Sequence, residues 1–143
     1  TTPQTPDPNN LESIDLPPSV GIDVMDQEHE ECTIVLNTLL AKPSKEALET
    51  AIKVLEDHFR HEEDLLRKNG FGNDNDVFSP LVSHCKDHER ILQIGRDVLK
   101  SCSTCWHSLT ATSLKLAGQE LAAAFGRHAE EFDILYEDKI TVI

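Results

Sequence analysis

The sequence predicts an all-α fold, an up-down-up-down antiparallel four-helix bundle with an N-terminal loop arm, and three observations carry that prediction. Apolar residues recur at spacings of three and four in four separate stretches, the signature of one buried face per helix. Capping residues, prolines or glycines bound those stretches. Nothing reads as a strand, and no internal repeat is present.

Taken in order, residues 1–15 are expected to form a flexible arm. Its first ten residues, TTPQTPDPNN, hold three prolines and nothing more apolar than threonine methyls, so they have no means of joining a core. LESIDLPPSVGIDVM, with Pro17, Pro18 and Gly21, suggests an ordered loop packed on the domain, and the bundle is expected over 16–143. The first helix is expected from Asp26, as N-cap, to Ala41, with Pro43 as the stop. The second opens at the cap Ser44 and ends at Asn69-Gly70. Ser79-Pro80, a cap and an N1 proline, opens the third, which runs to about Lys100. The fourth is expected from near Ser108 to Asp138, weakened by Gly118 and Gly126.

A chain of 143 residues, 38% hydrophobic, suits one domain with one core. Its formal charge of -13 repels phosphate backbones and anionic lipid surfaces, which excludes nucleic acid as an expected partner. No stretch reaches the length of a membrane span and no secretory leader is visible, so a soluble, cytoplasmic protein is expected; the start at Thr1 leaves a processed leader or a longer parent open. Four cysteines do not suggest a disulfide framework, and Cys32 and Cys85 fall inside apolar patterns as small hydrophobes. Monomer and homo-oligomer are equally open.

Polar residues interrupt every apolar stripe at mid-length. His29 fills a gap between Met25 and Cys32; His58 and Glu62 sit among Leu55, Phe59 and Leu65; His84 and His88 lie between Leu81 and Ile91; His128 follows Phe125. Unpaired, such groups in an apolar interior would cost several kcal/mol each, which a marginally stable domain could not absorb. Residues i and i+4 lie about 40° apart on a helix, so His58 with Glu62, and His84 with His88, can each address one site. His128 and Asp133 are about 140° apart on an ideal helix and need either a π-type bulge or a wide cluster. Seven ligands exceed one tetrahedral zinc, and the imidazole content is too high for calcium or magnesium, so two ions of the Fe, Mn or Zn kind are implied. With Glu62 and Asp133 bridging, five histidines divide three and two, and the second ion keeps a vacancy.

At this point the chain resembles a hemerythrin over about residues 16–140. The motifs are SVGIDVMDQEHEE around His29, HFRHEEDLL from His58 to Glu62, HCKDH from His84 to His88, and HAEEFD from His128 to Asp133. VGIDVMDQEH and the phrase after His58 look closer to the bacterial, single-domain type. The resemblance implies two iron ions in an oxo- or hydroxo-bridged diiron centre. His84, His88 and His128 would serve one iron, and His29 and His58 the other. It implies reversible O2 binding for storage, transport or sensing; the alternatives are a diiron enzyme acting on peroxide or nitric oxide and an iron- or oxygen-sensing domain. Cys32, Phe59, Phe125 and Ala129 are assigned to the O2 pocket. AAAFGRHAEE, with Ala124, Gly126 and Ala129, departs from the bulkier residues usual there and predicts a more open pocket with faster autoxidation.

Other residues are read as bystanders. His61 is expected on the surface, Cys102 and Cys105 in a loop without a second CxxC, Trp106 packing that loop, His107 in the same connection, and Tyr136 as a wall at the bundle end.

Overall fold

A computed structural model of the chain describes residues 12–72, 75, 78–104 and 111–133. Among them are four α-helices, α1 (Asp23–Ala41), α2 (Lys45–Lys68), α3 (Pro80–Thr104) and α4 (Ala111–Glu131). Consecutive helices pack side by side and α4 returns to α1, closing a four-helix bundle. None of these helices is long and apolar enough to cross a membrane.

Local chemistry explains most of the boundaries. The Ser44 hydroxyl accepts the Ala47 N–H at 3.0 Å and opens α2. Its far end closes in a Schellman motif: Phe71 N–H reaches the Leu66 carbonyl, Gly70 N–H reaches that of Arg67, and Gly70 takes a φ of 74°. A side chain at Gly70 would meet the steric penalty of that left-handed conformation. Ser79 caps α3 through the Val82 N–H.

Two expected boundaries differ. α1 starts at Asp23, with the N-cap at Ile22, four residues before the expected cap Asp26. Asp26 does not cap; its carboxylate reaches back to the Val20 N–H at 2.9 Å and to the Ser19 hydroxyl, fastening the incoming segment. α3 runs on through Cys102, which therefore belongs to a helical turn and not to a loop. α4 has its last regular turn at Glu131, and the expected start near Ser108 and end at Asp138 lie outside the described residues. Cys105, Trp106, His107 and Tyr136 lie outside the described residues.

Ile14 also departs from its expected place in the arm. Its N–H and carbonyl pair with the Asn37 side-chain amide at 2.8 and 3.1 Å, and its side chain packs against the core.

The interior divides into two apolar clusters. The larger joins all four helices through Leu36, Leu55, Ile91, Leu121 and Phe125. The smaller gathers Val20, Met25, Leu65, Leu66 and Leu81 at the other side. On α1, α2 and α3 the inward histidines and carboxylates fall between or next to the residues of the two clusters, and on α4 His128 follows the larger one.

Candidate metal centre

All seven side chains singled out as ligands are buried, from His128, Glu62 and Asp133 at 0% exposure to His84 at 4%. They form two overlapping groups able to hold a metal ion, Glu62 with His84, His88 and His128, and His29 with His58, Glu62 and Asp133. Glu62 belongs to both. Its Oε2 lies 3.0 Å from His58 Nε2 and its Oε1 2.6 Å from His84 Nε2. Asp133 also spans the groups, with Oδ2 3.1 Å from His29 Nε2 and Oδ1 3.0 Å from His128 Nε2.

The last contact resolves the awkward spacing of five. α4 has its final regular turn closed by the Phe132 N–H on the His128 carbonyl at 2.8 Å. Asp133 then sits in a tighter turn beyond the helix, which swings its carboxylate back over His128. A helix end, rather than a π-type bulge, supplies the reach.

The donor arrangement fits metal ions. His128 Nε2 lies 3.0 Å from His88 Nε2 and 3.1 Å from His84 Nε2. An imidazole nitrogen sits roughly 2.1 Å from a divalent transition ion, so two ligands at right angles are about 3.0 Å apart, whereas tetrahedral ligands are about 3.4 Å apart. Neither His29 nitrogen and neither Asp133 oxygen makes a hydrogen bond among the described residues, although His29 Nε2 and Asp133 Oδ2 lie 3.1 Å apart. Close approach without hydrogen-bond alignment is what donors aimed at a shared third point produce.

Electrostatics of the protein atoms alone show the same demand for cations. Burial and the Asp133 charge both push the Glu62 carboxyl up, yet His58 and His84 outweigh them and hold it at about 2. Burial likewise opposes ionisation of Asp133, and His128, His29 and His84 pull it well below the carboxylate range. Burial would keep His58 neutral, but Glu28 and Glu62 raise it to about 10. His128 is raised to about 9 by Asp133 and Asp87 against the same burial. At neutral pH protons occupy positions a metal would take, so metal uptake expels them.

A ring of outer carboxylates holds three of the imidazoles. Glu28 Oε1 accepts from His58 Nδ1 at 3.0 Å, Glu63 Oε1 from His88 Nδ1 at 2.8 Å, and Asp87 Oδ2 from His128 Nδ1 at 2.7 Å. Such partners fix the tautomer and turn Nε2 toward the metal. Each stands next to a ligand on its own helix but serves the ligand on the following one: α1 to α2, α2 to α3, α3 to α4. The sequence reading missed all three. Their signal was an acid immediately beside a ligand, as in EH, EE and DH.

Aromatic rings wall the site. Phe59 stacks on His88 with centroids 4.0 Å apart, Phe132 stacks on His128, and Phe125 meets His29 edge-on at 6.0 Å. Cys32 is fully buried in the apolar cluster beyond His29, where burial and nearby carboxylates push its thiol far up and keep it protonated. Ala124 and Ala129 are buried too, with Phe125 beside them. A Cβ at Gly126 would meet nothing within 4 Å, which sets that residue apart from the packed wall. His61 is neither a ligand nor idle: its side chain is 41% exposed and its Nδ1 lies 2.5 Å from the second oxygen of Glu28.

Among known proteins, the hemerythrin HHE cation binding domain matches residues 20–137. No curated protein and no solved structure matches the chain.

Proposed function

This chain belongs to the hemerythrin family and is a metal-binding domain of it, and on that premise we propose that it binds O2 reversibly at a non-haem diiron centre, for storage, transport or sensing. One observation carries the reading: the two ligand groups are unequal. The group around His84, His88 and His128 brings three imidazoles, and the group around His29 and His58 brings two, with Glu62 and Asp133 touching both. An ion held by the second group would have one protein ligand fewer than its neighbour, which would leave room for a small external molecule.

Two irons so held would supply the electrons that O2 takes up on binding and returns on release. The protein's own residues do the rest. Glu62 and Asp133 bind both positions together, and the outer carboxylates keep three imidazoles aimed inward. Phe59, Phe125, Cys32 and Ala129 present an apolar boundary that excludes water and so disfavours loss of a charged product. Five imidazoles against two carboxylates favour return to the reduced metal, whereas ferritin-like diiron oxidases use more carboxylate.

The test begins with metal content, since two zinc ions per chain would sink the iron reading. Iron-loaded protein is then reduced without air, exposed to O2 and purged. A visible charge-transfer band that appears and disappears over repeated cycles is expected. A single irreversible oxidation would instead mark an enzyme acting on peroxide or nitric oxide, or a sensor.

A further inference from the structure

The two halves of the centre are supported unequally from outside. Among the described residues, His88 and His128 each have a carboxylate that no second histidine shares, and Asp87 is steadied in turn by Arg90, whose Nε donates to Oδ1 at 2.9 Å. His29 has no hydrogen bond at either nitrogen among the described residues. His58 leans on Glu28 alone, and Glu28 divides its two oxygens between His58 and the half-exposed His61. Between α1 and α2 lies a groove of about 380 Å³ that both His61 and Glu28 line, and His58 reaches its inner wall. Among the described residues, a single carboxylate, held from the solvent side by a surface imidazole, thus backs one of the two histidines of this half.

Building on the two-ion reading above, we propose that the His29/His58 position is the exchangeable one of the two, and that His61 is a positioning residue for it. By fastening Glu28 from the groove, His61 keeps His58 turned toward the metal and slows the passage of a divalent transition cation between that position and solvent. Removing His61 lets Glu28 swing into the groove, and His58 loses its brace. At the other position, among the described residues, Glu63 and Asp87 each hold one imidazole without sharing it with a surface histidine.

Release kinetics test this without reference to O2. Protein loaded anaerobically with Fe2+ is mixed with an excess of a colour-forming ferrous chelator, and iron released per chain is followed in time. Two phases of one ion each are expected. Glu28→Gln should weaken retention of the faster ion by roughly 10- to 100-fold and leave the slower one unchanged. His61→Ala should speed the faster phase several-fold, and His61→Asn, whose amide nitrogen takes the place of Nδ1, should restore most of the retention. Glu63→Gln and Asp87→Asn should speed only the slower phase. Circular dichroism of the stripped variants establishes that each is folded. Release of both ions in one phase, an effect of Glu28→Gln on the slower ion, or no effect of His61→Ala would each overturn the proposal. Saturation at one ion per chain would instead overturn the two-ion reading on which it rests.

Discussion

Leu121 and His128 stand two turns apart on α4, and both are wholly buried, yet one belongs to the large apolar cluster and the other to the ligand layer. In the apolar cluster, shape and volume decide what is tolerated, because a truncated side chain leaves a cavity that its neighbours fill only in part. In the ligand layer, charge decides, because the imidazoles and carboxylates compensate one another, or a metal, in a place where water cannot. One bundle therefore carries a layer that stabilises the fold and a layer that the fold must hold against its own preference.

The sharpest way to separate the layers is to truncate each. Leu121→Ala should cost about 2–5 kcal/mol of unfolding free energy while the folded fraction still binds its full complement of metal. The double change His58→Leu with Glu62→Leu should do the reverse, with metal capacity falling and the stripped protein as stable as before or up to about 4 kcal/mol more so. Denaturant melts with metal analysis on the same samples read both. A double variant that unfolds on stripping would show that the ligand layer holds the bundle together even without metal.

Acidity offers a milder probe of the same contrast. In stripped protein the Glu62 carboxyl titrates at about 2 instead of 4.5, so its contribution is complete above pH 4.5 and fades as pH falls toward 2. His58 and His128 titrate at about 10 and 9 instead of 6.5, so their contribution is complete below pH 6.5 and fades as pH rises through those values. The melting temperature of stripped protein should therefore peak between pH 4.5 and 6.5. With metal bound the imidazoles are unprotonated, and calorimetry should place the optimum at higher pH, with metal lost on acidification. An unchanged optimum on stripping would contradict the pairing described.

Glycines give the smallest effect and a control within the apolar layer. Gly126→Ala, with free space around the new Cβ, should stabilise α4 by about 0.5–1 kcal/mol. Gly95→Ala should destabilise, since its Cβ would come within 2.7 Å of Ile52 Cδ1. Thermal melts of the two single variants should move in opposite directions.

The candidate ligands were legible in the sequence because they interrupt apolar stripes, and a histidine surrounded by leucines at helical spacing stands out. The outer carboxylates were not. Glu28, Glu63 and Asp87 sit one residue from a ligand, about 100° around the helix, where an acid resembles any solvated charge in a chain with 26 acidic residues. His61 was hidden likewise, since its meaning depends on Glu28, 33 residues away. The start of α1 was misplaced because Asp26 has the chemistry of a cap and spends it on Val20 and Ser19 instead. Ile14 gave no local sign of the Asn37 amide that clasps it.

The staggered ring of carboxylates works as a vernier on the assembled chain. On each of the first three helices, the residue beside a ligand grips a ligand of the next helix. Inserting or deleting one residue in such a helix would turn both side chains by about 100° together, misaligning a contact within the centre and another at the neighbouring interface. Register is thereby checked twice at each of three seams. Length changes should thus accumulate in the connections between helices and stay out of the stretches that carry the ligands.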